Sequence, residues 1–524
     1  MHKKSVAAVA STIPVTRGMR AFLFFTAIVT GAAVMIVEIL GAKMLAPFLG
    51  TSHFVWTAQI ATTLVALAFG YFVGGMLAQR NIPLRALYFG ILGAGVYLCL
   101  SVWLMEPLAY WCLNFRLPAG SLIAAAFLFF VPLALLAMTA PFLIAVLTQS
   151  LAAVGNNVGR LAALSTVGSF IGTILIGYVL IPLWPNSVIM YFTASLLMVL
   201  AILYFFGWDR RMKMAALILA LIGAALGFFG VKAQSRDEFA EMEQLYRGNS
   251  NFGQVQVLQS KNGHRRYYLN DNLVQNVYDP LQKKSAAMFT YMLHGLARAY
   301  TPKIHRVLCI GMGVGIVPMQ FAAEGVAVDV VEINPAVVRV ATNYFNCDPG
   351  RFHLALGDGR QFLNRAIPQR YDAVILDAFL GDSSPSHLMS REAFAAIKKT
   401  LSEEGTLVIN CFASVEDGDD RFGACLDKTL RAVFPSVRIH QSYAGGNVFF
   451  VASSRPDLAF VHSIAIDDIP EAVRDSVRAA FNGLIEMNMR HGILLTDDFN
   501  PLDYYDAANR ERIRRQLAQN IKRL

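Results

Sequence analysis

The sequence predicts a chain built in two parts for two solvents: an N-terminal polytopic α-helical membrane bundle, and behind it a small β-domain leading into an α/β sheet with helices on both faces. Three observations carry the prediction. Charged residues are sparse over 21–231 and ordinary over 232–524. The sparse region divides into apolar runs, each long enough to cross about 30 Å of hydrocarbon as a helix. The remainder alternates β-branched strands with helical stretches, as a doubly wound sheet does. Across all 524 residues 55% are hydrophobic and 15% charged. A soluble protein carries about 25% charged residues, so much of this surface must face lipid.

Residues 1–20 form a basic tail with Lys3, Lys4, Arg17 and Arg20. The apolar run after it is longer than a signal-peptide core and lacks a small-residue cleavage site, so it is expected to be retained as the first span. Seven spans are expected, at 21–42, 55–78, 86–105, 121–147, 160–183, 187–207 and 213–231. Gly70 with Gly74, and Gly168 with Gly172, place small residues four apart, where two helices can close on each other. Glu38 is an acid near the end of an apolar helix. Lys43 is its expected partner, and the alternative is a polar site for an amine or lipid headgroup inside the bundle.

Basic residues gather on the N-terminal side of the membrane: the tail, Arg80, Arg85, Arg160, Arg210, Arg211 and Lys213. That bias sets the N-terminus in the cytoplasm and, with an odd number of spans, the C-terminal domain outside. A re-entrant break near Pro132 and Pro141 would reverse the side. The net charge of +9 otherwise falls in a C-terminal helix, RERIRRQLAQNIKRL, read as a solvated face. No nucleic-acid surface is expected from so scattered a charge. The six cysteines (Cys99, Cys112, Cys309, Cys347, Cys411 and Cys425) show neither metal-ligand spacing nor a disulfide framework.

Residues 232–248 read as a polar, helical linker, and 249–280 as a small β-domain of two or three strands with a hairpin at Asn262–Gly263. The last domain covers 281–524 and opens with a helix over 283–300. A strand at 307–310 then breaks into Gly311, Gly313 and Gly315 before a helix, which lets backbone N–H groups approach a ligand closely. About 20 residues after the first glycine, a second strand ends on Glu332, the spacing at which a carboxylate takes both hydroxyls of a ribose. A third strand ends on Asp358 and a fourth, 373–376, on Asp377. Open α/β sheets bind ligands at these C-terminal strand ends. Further strands at 406–411, 437–443 and 448–452, with helices at 391–401 and 420–433, complete a Rossmann-like sheet of the methyltransferase type with an antiparallel hairpin.

Asp271-Asn272 with Gln275, the glycine loop, Val331-Glu332-Ile333-Asn334, Asp358-Gly359 and Tyr371-Asp372 through Asp377 resemble the spermidine synthase (aminopropyltransferase) family over about 250 residues, Asn249 to Pro501. The N-terminal text GAAVMIVEILGAKMLAPFLGTSHFVW and STVGSFIGTILIGYVLIPL, and LLTDDFNPLD near the C-terminus, resemble the fused, multi-spanning spermidine-synthase-like proteins of bacteria. The resemblance implies a bacterial cell (inner) membrane protein. Its co-substrate would be decarboxylated S-adenosylmethionine or S-adenosylmethionine, without a metal. Asp377 would be the catalytic base. Glu332 would hold the ribose, Asp358 the adenine amino group beside Gly359, and Gly311, Gly313 and Gly315 the thioether. Gln275, Asp382 and Tyr291 would contact the amine, with His294 near Tyr291. The alternative for Asp382 is a solvated loop acid beside Ser383 and Ser384, and for Tyr291 a core aromatic. Asp497 and Asp498 either reach the acceptor pocket or serve at a helix terminus or turn. Adenosyl donors are made inside the cell, so this chemistry asks for a cytoplasmic site against the charge bias, and the side stays open.

The sequence also departs from the family. Val314 stands where an aspartate binds the amino group of the decarboxylated donor, Phe252-Gly253 replaces a Tyr-Gln pair, and Asp279-Pro280 an Asp-Glu. A valine cannot neutralise an ammonium. Three readings follow: an aminopropyl or related alkyl transfer from an adenosyl sulfonium to an amine or polyamine; methyl transfer on the same sheet; or a non-catalytic nucleoside-binding scaffold or transporter. The expected partners are a small amine and the lipid bilayer, with homo-oligomer formation allowed.

Overall fold

The computed structural model of the chain describes residues 16–80, 82–148, 151–234, 242–379, 381, 383–415, 420–442 and 446–521. The chain divides into two compact units, one over the apolar half and one from Phe239 onward.

The first unit is helical. Among the described residues, seven helices are long and apolar enough to cross a membrane: α1 (Arg17–Leu49), α2 (His53–Gln79), α3 (Leu84–Cys112), α4 (Leu117–Leu147), α5 (Val154–Leu183), α6 (Asn186–Gly207) and α7 (Arg210–Lys232). Each overlaps one expected span. The run α4 does not turn back on itself at its prolines. A π-helical stretch, Ala126–Phe130, precedes Pro132, and the helix is interrupted at Met138 before resuming at Thr139. Proline lacks an N–H and crowds the preceding turn, and a widened turn absorbs both. The described spans therefore stay odd in number.

Both glycine pairs lie at close helix crossings. A Cβ at Gly168 would overlap the Ile28 carbonyl and one at Gly172 the Ala32 backbone, while Gly70 and Gly74 of α2 face Ala134, Met138 and Pro141 of α4. Ser169 Oγ adds a hydrogen bond to the Gly31 carbonyl at 3.1 Å. Gly168→Leu forces α1 and α5 apart. It is expected to cost about 1–3 kcal/mol, read as a lower unfolding temperature in detergent, with Gly159→Leu, where a Cβ meets nothing within 4 Å, as the neutral control. The expected Glu38–Lys43 pair is not formed among the described residues. Five positions on one helix turn about 140° away from each other, so the two side chains leave α1 on different faces.

The second unit opens with a five-stranded antiparallel sheet, β1 (Met242–Ser250), β2 (Gly253–Ser260), β3 (Arg266–Asn270), β4 (Leu273–Asp279) and β5 (Lys284–Ser285), paired in that order. This corrects two expectations. Residues 242–248 are strand, not helical linker, because β1 pairs along its length with β2, Met242 opposite Ser260 and Ser250 opposite Gly253. Pairing outweighs local propensity there. The sheet also has five strands rather than two or three. Asp271 and Asn272, with φ of 47° and 60°, form the two-residue turn between β3 and β4, and Gly263 lies in the longer β2–β3 loop.

An eight-stranded sheet follows: β6 (Arg306–Ile310), β7 (Ala327–Glu332), β8 (His353–Leu356), β9 (Tyr371–Leu376), β10 (Leu401–Ala413), β11 (Ser436–Gln441), β12 (Gly446–Ser453) and β13 (Leu484–Ile485), in the spatial order β13-β11-β12-β10-β9-β6-β7-β8. From β10 to β8 the neighbours are parallel, and β12, β11 and β13 run antiparallel. This is the expected Rossmann-like architecture. Alternate residues of β6 feed two cores: Val307 and Cys309 pack with α8 (Met288–Tyr300), α9 (Ile316–Ala323) and α10 (Pro335–Tyr344). Leu308 and Ile310 pack with α11 (Gly359–Arg365), α12 (Arg391–Thr400) and α13 (Arg421–Arg431). Burial on both faces is why these strands are continuously apolar. Chain order reverses between β6 and β9, which opens a crevice at their C-terminal ends. The C-terminal helix α14 (Ala507–Ile521) departs from a solvated basic face, since Arg510 and Arg514 are only 1% and 3% exposed.

Candidate active site

The crevice between β6 and β9 holds a cavity of about 410 Å³ lined by residues of both sheets. Gly311 and Gly313 of the glycine loop line it, and Gly315 does not. Gly311 has φ 91°, and a Cβ there would overlap the Asp377 carbonyl, so only glycine lets the β6 and β9 ends lie this close. Gly315, with φ 82°, is the left-handed cap that starts α9.

Glu332 stands at one end. Its Oε2 accepts from the Met312 N–H at 3.0 Å and its Oε1 from the Asn334 N–H at 2.8 Å. Burial raises its pKa, opposed by these backbone N–H groups. The carboxylate thus fixes the glycine loop as well as facing the cavity. Asp358 caps α11 through the Gln361 N–H at 2.9 Å, and its Oδ2 lies 2.9 Å from His387 Nε2. Burial alone would raise its pKa, but the Gln361 N–H and His387 hold it below the ordinary carboxylate value.

Asp377 stands on the other side. Its Oδ1 accepts from Asn410 Nδ2 at 2.9 Å, and Asn410 Oδ1 accepts from Asn447 Nδ2 at 2.8 Å. Surrounding protein pushes its pKa up to about 6, and the Asn410 bond opposes that rise. A carboxylate so placed is ionised near neutrality yet basic enough to take a proton. Asn410→Leu removes the opposing bond. A hydrogen bond to a charged group is worth about 1.5–3 kcal/mol, so the acidic limb of the kcat/KM profile is expected to move up by roughly 1–2 pH units, read from initial rates across pH.

The other expected residues separate. Gln275 lines the cavity and donates to the Gly381 carbonyl at 2.9 Å, tying β4 to the loop after Asp377. Gly359 lines it as well. Asp382 lies outside the described residues. Tyr291 does not line the cavity; its hydroxyl donates to the Ser285 carbonyl at 2.9 Å and its ring packs on the core. His294 pairs with Glu324 at 2.7 Å. Asp497 accepts from Arg360 at 2.8 Å and from Ser390, the cap of α12, which fits its helix-terminus alternative. Asn410, Asn447 and His387 went unread, because only the fold brings them to the acids.

Val314 is 1% exposed and packs in the core behind the loop. Val314→Asp therefore buries a carboxylate among apolar side chains. The expected result is destabilisation by roughly 3 kcal/mol or more, seen in thermal unfolding, rather than a simple gain in donor affinity.

Residues 287–452 match the model of the spermine/spermidine synthase domain. A polyamine aminopropyltransferase of Vibrio vulnificus is 40% identical over 164 residues, 30% of this chain and 52% of that protein. An N-terminal histidine N-methyltransferase of Emericella nidulans is 25% identical over 177 residues, 33% of this chain and 30% of that one. The chain thus spans about half of the first relative and under a third of the second. The spermidine synthase of Thermotoga maritima aligns over 47% of this chain and 85% of its own at 19% identity and a TM-score of 0.37. The matched residues all lie within the C-terminal half of the chain.

Proposed function

We propose that the chain is an integral-membrane, spermidine-synthase-like transferase that moves an aminopropyl group, or a related alkyl group, from an S-adenosyl sulfonium donor to an amine. The observation that carries this is Asp377, a carboxylate with a pKa near 6 at the switch point of the sheet, across one cavity from Glu332. The amine nitrogen attacks the carbon beside the sulfonium, the carbon–sulfur bond breaks with its electron pair going to sulfur, and a neutral thioether nucleoside leaves. The ammonium proton passes to Asp377 and on to solvent. Glu332 holds the ribose and Asp358 the adenine amino group. The aminopropyltransferase relative and the seven candidate spans support the reading.

Methyl transfer to an amine is the second reading. Val314, where the resembled family places an acid, leaves the loop without a charge to select a decarboxylated donor. A relative whose name is that of an N-methyltransferase supports it. The test offers the purified protein each donor separately, with di- and polyamines and native lipid extract, and weighs the acceptor products. A gain of one aminopropyl group is expected, a gain of one methyl group favours the second reading, and an unchanged acceptor pool contradicts both. Protease applied to intact spheroplasts reports the side, since cleavage within the second unit means it faces outward.

A further inference from the structure

Two arginines buried on one helix need a reason, because guanidinium groups are rarely enclosed without partners. On α14, Arg510 Nη1 lies 3.4 Å from Asp503 Oδ1. Arg514 and the turn residue Asp271 both flank Gly381, in the loop after Asp377. Asn509 donates to the Phe412 carbonyl at the end of β10 at 3.0 Å and to Asp506 Oδ1 at 3.0 Å. These anchors hold the helix against the Asp377 side of the cavity, where the Phe379 and Phe412 rings meet at 5.3 Å. None of them involves Glu332 or Asp358. From the same helix, three and six positions beyond Arg510, Ile513 and Gln516 line the cavity wall. The helix lies beyond the matched domain, which ends at residue 452.

We infer that α14 is the acceptor-side wall of the cavity and that Ile513 and Gln516 determine which amine is taken. The helix offers an aliphatic side chain and a neutral amide, so it selects an aliphatic amine by its carbon chain and meets the far end without a carboxylate. The choice of an amine rests on the transfer reading above, whereas the position of the wall does not.

The test uses the full-length protein carrying Ile513→Trp, with Ile513→Ala as the second variant in case the larger side chain prevents folding. The first readout needs no substrate: water-soluble carbodiimide with glycinamide amidates accessible carboxyls, and peptide mass spectrometry follows Asp377 and Asp358 separately. Ile513→Trp should slow amidation of Asp377 at least about fivefold and Ile513→Ala should speed it, with Asp358 unchanged in both. The second readout is kinetic. Ile513→Trp should raise KM for putrescine about tenfold or more without changing KM for the donor, a size effect within the range of pocket discrimination. Gln516→Glu should favour putrescine over propylamine. Amidation and acceptor KM that both ignore position 513 overturn the inference. If the wild type transfers to no amine while amidation of Asp377 still follows residue 513, the transfer reading fails and the wall stands.

Discussion

Asp377→Asn lowers turnover by about 10³-fold, within the range that a general base contributes, and leaves methylthioadenosine affinity within about twofold. The substitution keeps the shape of the side chain and can keep a hydrogen bond in the Asn410–Asn447 relay. What it removes is the carboxylate's charge, and with it the basicity proposed to take the ammonium proton. The proposed nucleoside contacts run instead through Glu332 and the glycine loop, to which the Asp377 side chain makes no hydrogen bond. A loss of both turnover and binding, measured by single-turnover rates and by calorimetry, would mean that Asp377 builds the site rather than acts in it. The wild-type pH profile carries the same claim. Asp377 is protonated and inactive below about pH 6, so kcat/KM rises as pH passes upward through that value. Stability moves the other way. A carboxyl whose folded pKa is raised favours the folded state while protonated, and that contribution is lost as pH climbs from the ordinary carboxylate range through about 6.

Glu332→Ala has the second large effect, on binding. The substitution deletes the acceptor for the Met312 and Asn334 N–H groups and the carboxylate proposed to hold the ribose. Each hydrogen bond to a charged group is worth about 1.5–3 kcal/mol, so two ribose hydroxyls account for a loss of at least about 10²-fold in methylthioadenosine affinity. Glu332→Gln, which retains one acceptor oxygen, should lose less. Equal affinity in Glu332→Ala and wild type would remove the ribose role from Glu332 altogether.

The acids at the ends of β7, β8 and β9 were legible because each stands at or within two residues of the end of a short, mainly apolar strand, buried in β7 and β9 and half exposed at the edge strand β8. The glycine loop was legible for the same reason. Their partners were not. Asn410 reaches Asp377 because β10 lies beside β9, and Asn447 reaches Asn410 because β12 lies beside β10. Neither neighbour is stated by local sequence. Val314 shows a different limit: its place in the glycine loop is readable, but the direction of its side chain, into the core behind the loop, depends on the turn geometry. Residues 242–248 carry charges that suit an exposed helix, and become strand only because β2 is there to pair with. The basic C-terminal helix misled through composition: Arg510 and Arg514 are both buried, and Arg514 lies beside Gly381 in the loop after β9, far away in sequence.

The measurement that tests the central claim most directly is the identity of the nucleoside released when purified protein is given decarboxylated S-adenosylmethionine or S-adenosylmethionine, each in the presence and absence of an amine. Methylthioadenosine formed in proportion to acceptor, and abolished in Asp377→Asn, is the predicted result. Adenosylhomocysteine from S-adenosylmethionine, with no methylthioadenosine from either donor under any acceptor, would contradict it.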